Sequence, residues 1–349
     1  ATMVEQDTRR ECILWSVNHY LGLNRHPYVM RKASEAVLTF GTGCGTSAMS
    51  GGLSSLHAQL AEELARFVGK PSAILFSTGF TANQGAISGL LRKDDLILID
   101  RESHASIVEG CRSCKARMLP FRHNDVADLE RKLARFSQRY RQVLVVVESA
   151  YSMSGDLCPL QAIAALKEKH RFLLYVDEAH TFGFYGRQGS GYCNELGVSS
   201  EVDFIMSTLS KSTASIGGFV ACEAKYHSYL QFASRAYLFQ ACLTPADAAA
   251  ILASLEVIQR EPEIARRLHA KNEYFRERLM AAGFNLGESA SPIVPIYVPD
   301  TGVLLKMTNA LMDRGIYTVA ITYPAVGIKE GRLRFVLSAE HSYEHIDAT

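Results

Sequence analysis

Short, almost unbroken apolar runs alternate along this chain with longer amphipathic stretches, and that alternation narrows the folds open to it. The runs are Ala73–Ser77, Leu96–Asp100, Val143–Glu148, Phe172–Asp177, Phe204–Ser207 and Gly218–Cys222. Helical patterns such as Asp125–Tyr140 and Leu160–His170 lie between them. Strands that alternate with helices give an α/β domain with a largely parallel sheet. Runs without polar alternation belong to strands covered on both faces. After Pro245 the texture changes. Residues Ala246–Ala282 read as one long helix or a broken pair, with Arg260, Glu261, Glu263, Arg266 and Arg267 on a solvated face. Pro292–Val298 and Arg332–Ser338 read as strands around a helix near Leu304–Arg314, a small α+β domain packed on the large one. A chain of 349 residues exceeds a single core. The expected division is an N-terminal segment 1–40, a large domain 41–240 and a small C-terminal domain 241–349.

Charge and composition exclude several classes of function. The net charge is +1 with no long run of one sign, which supports neither a nucleic-acid nor a membrane-surface partner. No apolar run approaches the ~18 residues of a membrane span. The polar start, Ala1–Arg10, is unlike a signal peptide, so a cytoplasmic protein is expected. Of eight cysteines only Cys111 and Cys114 have C-x-x-C spacing. A zinc site needs a second such pair or suitably spaced histidines, and none follows. Free thiols in a reducing compartment and no metal are the expectation.

Four strand-end or turn stretches carry chemistry. Thr208-Leu209-Ser210-Lys211-Ser212 follows a strand and precedes Gly217-Gly218. Ligands of α/β sheets bind beyond the carboxyl ends of the strands, and lysine is the residue that forms Schiff bases with carbonyl cofactors. In Tyr175-Val176-Asp177-Glu178-Ala179-His180 an acid ends an apolar strand and a histidine follows three positions later. Pyridoxal phosphate (PLP) needs a carboxylate at its ring nitrogen, the place open to Asp177, and His180 is placed to reach the phenolic oxygen. A helicase reading of D-E-A-H would need an upstream phosphate loop, and there is none. Ser77-Thr78-Gly79-Phe80-Thr81-Ala82-Asn83 joins a strand to a helix, where free N–H groups can cradle a phosphate. Asp100-Arg101-Glu102-Ser103-His104 again ends a strand on a histidine, one able to stack on a ring. Gly41-Thr42-Gly43-Cys44-Gly45-Thr46 is half of a dinucleotide fingerprint, without the strand or the acid that would complete it.

These stretches resemble the α-oxoamine synthase family of fold-type I PLP enzymes, which has the aspartate aminotransferase-like fold. The resemblance runs from Asn18-His19-Tyr20-Leu21-Gly22-Leu23 to Ala339-Glu340-His341. It rests on F-S-T-G-F, D-R-E-S-H-A-S-I, Y-S-M-S-G-D, V-D-E-A-H and T-L-S-K-S. The motifs look most like those of the bacterial serine palmitoyltransferases, especially around Phe121-Arg122-His123-Asn124 and Leu333-Arg334-Phe335. The resemblance implies an acyltransferase that joins an amino acid to an acyl thioester with loss of carbon dioxide. It implies that Lys211 carries the cofactor and later moves the α-proton. Asp177 pairs with the ring nitrogen, His180 and Ser152 touch the phenolic side, and His104 stacks on the ring. Gly79, Phe80, Thr208 and Ser210 hold the phosphate, and Ser77 is a further cofactor-binding residue. Asn18 and Arg334 orient the substrate carboxylate, Arg334 through its charged fork. The family is a homodimer with active sites at the interface.

Two departures bear on the substrates. Ala48, within G-T-S-A-M-S-G-G, stands where the family usually has arginine near the acyl-donor entry, so the donor can be an acyl carrier protein rather than coenzyme A. Gln240 and Cys242 stand where Thr and Ser are common, and the Thr reaches the partner subunit's phosphate; Gln240 retains a donor for that contact. The alternatives are a synthase domain of a natural-product assembly line using another amino acid such as arginine, a PLP enzyme of another reaction type, and a catalytically silent partner subunit.

Overall fold

The computed structural model describes residues 2–4 and 11–349. Residues 5–10, on which the reading of the chain's start largely depends, lie outside the described residues. Two compact units divide the chain. One comprises Leu23–Ala150 and Cys158–Arg260; the other comprises the described part of Ala1–Gly22, Tyr151–Leu157 and Glu261–Thr349. This differs from a simple division at residues 40 and 240. The helix Pro245–Arg260 belongs to the large unit because its alanine-rich face packs on helix Pro27–Phe40.

The large unit is built on a seven-stranded sheet. Its strands run in the order Ser72–Phe76, Gly218–Cys222, Phe204–Thr208, Leu173–Asp177, Val143–Glu148, Leu96–Asp100 and Arg117–Phe121. Gly218–Cys222 is antiparallel to both of its neighbours, and every other pairing is parallel. Phe76, Asp100, Glu148, Asp177 and Thr208 therefore end at one edge of the sheet. Leu96–Asp100, Val143–Glu148, Phe204–Thr208 and Gly218–Cys222 are buried along their whole length, which explains their unbroken apolar sequences. Arg117–Phe121 is the strand that the apolar pattern does not reveal. It lies at the sheet edge, carries Pro120 and is exposed at Arg117, so it needs neither a continuous apolar run nor a full ladder of donors.

The stretch after Pro245 is a broken pair of helices, Pro245–Arg260 and Glu263–Ala281. Pro262 stands at the break, where its missing N–H costs least. The expected helix Leu160–His170 is α-helical over Leu160–Ala165 and then tightens to a 3₁₀ turn, Leu166–Glu168.

The smaller unit holds two three-stranded sheets. In one, Arg332–Val336 lies between Ile293–Tyr297 and Val319–Ile321, all antiparallel. In the other, Glu11–Leu14 pairs with Thr2–Val4 and, in parallel, with Ile316–Tyr317. Trp15 is fully buried beside these strands. It stacks on His341 with ring centroids 4.0 Å apart and on Phe275 at 4.8 Å. Burial pushes the His341 imidazole down to about 3, so it stays neutral and packs as an aromatic ring.

Candidate active site

Asp177 ends its strand at the carboxyl edge of the large sheet and is buried. Its two oxygens accept from the Ala179 N–H at 2.9 Å and from the Asn83 side-chain amide at 2.7 Å. Two donors, one to each oxygen, hold the carboxyl group in place.

Lys211 follows the next strand on a loop pinned from several sides. Leu209 N–H donates to Gly217 O at 2.9 Å, and the Ser212 hydroxyl donates to Phe182 O at 2.6 Å. The buried Thr213 donates through its hydroxyl to Leu209 O at 2.9 Å. Ala214 adopts φ 56°, a left-handed conformation that a non-glycine residue adopts at a cost. With the loop held in this way, the half-buried Lys211 places Nζ 2.8 Å from His180 Nε2.

The turn after Ser72–Phe76 opens helix Gly79–Leu90. Thr78 caps it by accepting from Thr81 N–H at 3.0 Å. The first helical N–H groups, those of Gly79 and Phe80, have no partner within the helix and face outward as anion donors. A side chain at Gly79 would meet Thr208 Cβ at 2.6 Å. The missing Cβ thus lets the turn close on Thr208, whose hydroxyl is paired with that of Ser210 at 2.8 Å.

His104 caps helix Ala105–Ser113, its Nδ1 accepting from Ser106 N–H at 3.2 Å. Its own N–H donates to the Glu148 carboxyl. Burial lowers the His104 titration point. Glu148 pairs in register with Asp177, and burial first, then the Asp177 charge, pushes its carboxyl well above the usual range.

These residues meet in one cavity of ≈ 310 Å³. Thr78, Gly79, Phe80, His104, Asp177, His180, Thr208, Ser210 and Lys211 all line it. Ser77 and Gln240 line a separate crevice. The Ser77 hydroxyl donates to Ala241 O, and Gln240 buries its side-chain oxygen without a hydrogen-bond partner among the described residues. Sequence reasoning gave no role to Asn83, Ser106, Tyr175 or Glu148. Two of them leave a signal: an acid ends the apolar run Val143–Glu148, and an amide interrupts the small-residue face of helix Gly79–Leu90.

Ser152, Asn18 and Arg334 belong to the smaller unit. The Arg334 guanidinium is buried, donating through Nε to Ser152 O at 2.6 Å and through an Nη to Asn18 Oδ1 at 3.2 Å. Among the described residues no carboxylate pairs with it. A buried cation without a counter-charge is costly unless a ligand supplies one.

A model of the aminotransferase class I and II family matches residues 10–348. A serine palmitoyltransferase of Bacteroides thetaiotaomicron is 41% identical over 336 residues, which is 96% of this chain and 85% of that one. The chain belongs to the aminotransferase class I and II family, in its α-oxoamine synthase branch. Another α-oxoamine synthase, the 8-amino-7-oxononanoate synthase 1 of Bacillus subtilis, is 36% identical over 338 residues, covering 97% of this chain and 86% of that protein. Among solved structures, the serine palmitoyltransferase of Sphingomonas wittichii superposes with a TM-score of 0.95 at 34% identity, over 99% of this chain and 89% of that one. A serine palmitoyltransferase with a PLP internal aldimine gives 0.94 at 34% identity, over the same shares of both chains.

Like its family, this α-oxoamine synthase depends on PLP, and the cavity suits that group. A lysine amine meets the aldehyde's need, and Asp177 meets that of the ring nitrogen. The cradle at Gly79, closed against Thr208 and Ser210, gives neutral donors to a phosphate. Among the described residues no cluster of three or more His, Cys, Asp or Glu could hold a metal ion, and no helix is long and apolar enough to cross a membrane. The eight cysteines are free thiols, and Cys114 donates to the Cys111 carbonyl at 3.0 Å.

Proposed function

We propose that the chain condenses the α-carbon of an amino acid with an acyl thioester, releasing carbon dioxide and a thiol and leaving an α-amino ketone. One observation carries the reading: the Lys211 amine shares a cavity with Asp177, His104 and the Gly79–Phe80 turn. PLP, when bound, supplies an electron-withdrawing ring that stabilises negative charge on the substrate's α-carbon. Asp177 keeps the ring nitrogen protonated. His180 and Ser152 contact the phenolic side, and the Gly79 and Phe80 N–H groups with the Thr208 and Ser210 hydroxyls hold the phosphate.

Lys211 does the proton work. Its Nζ takes the α-proton of the amino acid and returns one to the product carbon. His180 Nε2 holds that amine in place between the two events. His104 covers the ring. Arg334 and Asn18 receive the amino acid's carboxylate, and the buried guanidinium, without a carboxylate partner among the described residues, supports that role.

The enzyme acts as a cytoplasmic homodimer, with Gln240 directed to the partner subunit's phosphate. The acyl group arrives on coenzyme A or on an acyl carrier protein, and Ala48 supports the carrier.

Absorbance of the protein with PLP, titrated in turn with serine, alanine, glycine and arginine, tests the reading. A cofactor band that shifts with one amino acid identifies the nucleophile. A protein that forms no cofactor band refutes the proposal.

A further inference from the structure

One buried amide lies between the two sides of the candidate active site. Asn83, on helix Gly79–Leu90, is buried. Its side-chain orientation is settled by the carboxylate it faces. The fully buried Tyr175 hydroxyl donates to Asn83 Oδ1 at 2.9 Å. The two protons on Nδ2 go to Asp177 Oδ2 at 2.7 Å and to Ser106 Oγ at 2.9 Å. A carboxylate can only accept, so reversing the amide would set its oxygen against Asp177 Oδ2.

The same polarity passes to the next residue. Ser106 Oγ accepts from Asn83, which leaves its own proton for His104 Nδ1, 2.8 Å away. The Ser106 N–H points at the same nitrogen from 3.2 Å. A nitrogen that receives two donors must carry a lone pair, so the imidazole holds its proton on Nε2.

We propose that Asn83 is a positioning residue that holds Asp177 for the ring nitrogen and, through Ser106, fixes His104 as the neutral tautomer protonated on Nε2. The assignment rests on the cofactor reading given above, but the hydrogen-bond chain exists without the cofactor. The Asn83 amide donates to Asp177, the acid proposed for the ring nitrogen, and to Ser106, whose hydroxyl passes the bond on to His104, the residue proposed to cover the ring. A residue that only filled space would need none of these directed bonds. Their loss would leave Asp177 held by the Ala179 N–H alone and the His104 tautomer set by the longer Ser106 N–H contact alone.

The test is nitrogen NMR of the cofactor-free protein labelled with ¹⁵N-histidine, in wild type, Asn83→Ala and Tyr175→Phe, with circular dichroism to establish folding. The expected wild-type spectrum shows a pyridine-like Nδ1 and a pyrrole-like Nε2 at His104. Asn83→Ala is expected to mix the two tautomers. Tyr175→Phe keeps the core volume, releases Oδ1 and is expected to shift the signals in the same direction by less. A wild-type His104 protonated on Nδ1 overturns the proposal. So do folded Asn83→Ala and Tyr175→Phe variants whose His104 signals match wild type. Because no cofactor is present, failure of the PLP reading would appear separately, as a missing cofactor band alongside intact His104 signals. In the loaded enzyme, Asn83→Ala is expected to weaken PLP binding at least tenfold while leaving the amino-acid KM within about twofold.

Discussion

Lys211 Nζ lies 2.8 Å from His180 Nε2. Two nitrogens at that distance share one proton, so one of them offers a lone pair. A lysine amine held against an imidazole can give up and recover a proton without moving away from the reacting carbon. Lys211→Ala is expected to stay folded and to lose turnover by about 10³-fold or more, within the range seen when a group that transfers protons is removed. Borohydride reduction followed by peptide mapping checks the assignment. Label should be found on Lys211 in the wild type and on no lysine in the variant; label on another lysine would reassign the cofactor.

Arg334 is a buried cation without a carboxylate partner among the described residues. Arg334→Ala is expected to raise the amino-acid KM by ~10- to 100-fold, the value of one or two charge-assisted hydrogen bonds. Steady-state kinetics at fixed acyl donor separates this from an effect on kcat. An unchanged KM would remove Arg334 from the substrate site.

The phosphate cradle depends on a missing atom. In Gly79→Ala the new Cβ would stand 2.6 Å from Thr208 Cβ, so the turn and Thr208 must separate. The expected result is at least a tenfold loss of affinity for PLP and a much smaller loss for pyridoxal, which lacks the phosphate. Equal losses for both ligands would place the phosphate elsewhere.

Glu178 gives the fold a dependence on pH. The side chain is fully buried and accepts from the Cys193 N–H at 2.6 Å. Burial raises it from its ordinary value of 4.5 to about 7. Between those values the unfolded chain has released this proton while the folded chain still holds it. Stability therefore falls as pH climbs through the window and is level with respect to this group on either side. The cost at the upper end is about 3 kcal/mol. Glu178→Gln should flatten that slope. Urea unfolding at about pH 5 and about pH 8 measures it, and a slope unchanged in the variant would assign it to another group.

Much of this fold can be read in the amino-acid order, and the rest is hidden for physical reasons. Leu96–Asp100, Val143–Glu148 and Gly218–Cys222 keep their expected bounds because strands buried on both faces cannot tolerate polar interruptions. The edge strand Arg117–Phe121 escapes notice because one side of it meets solvent. Lys211, Asp177, His180 and His104 stand out because reactive residues at strand ends break an apolar pattern. Asn83 leaves a weaker signal, since an amide next to Gln84 on a helix of small residues looks like a surface position until Tyr175 and Asp177 are seen to enclose it. Membership of the smaller unit is equally opaque. Tyr151–Leu157 joins it from the middle of the chain through contacts such as Ala290 N–H to Gly155 O at 2.9 Å, and no local pattern encodes those.

The parallel pairing of Glu11–Leu14 with Ile316–Tyr317 has a consequence for how the molecule is made. Ile13 leaves the ribosome roughly 300 residues before its partner Ile316 exists. At ~5–20 residues per second that wait is on the order of 15–60 s. For most of it Trp15 lacks Phe275, and for all of it Trp15 lacks His341, the two rings it stacks on. The nascent chain thus carries a strand with one open, sticky edge for most of its synthesis, a vulnerable interval in which chaperones, crowding and translation speed influence yield more than final stability does.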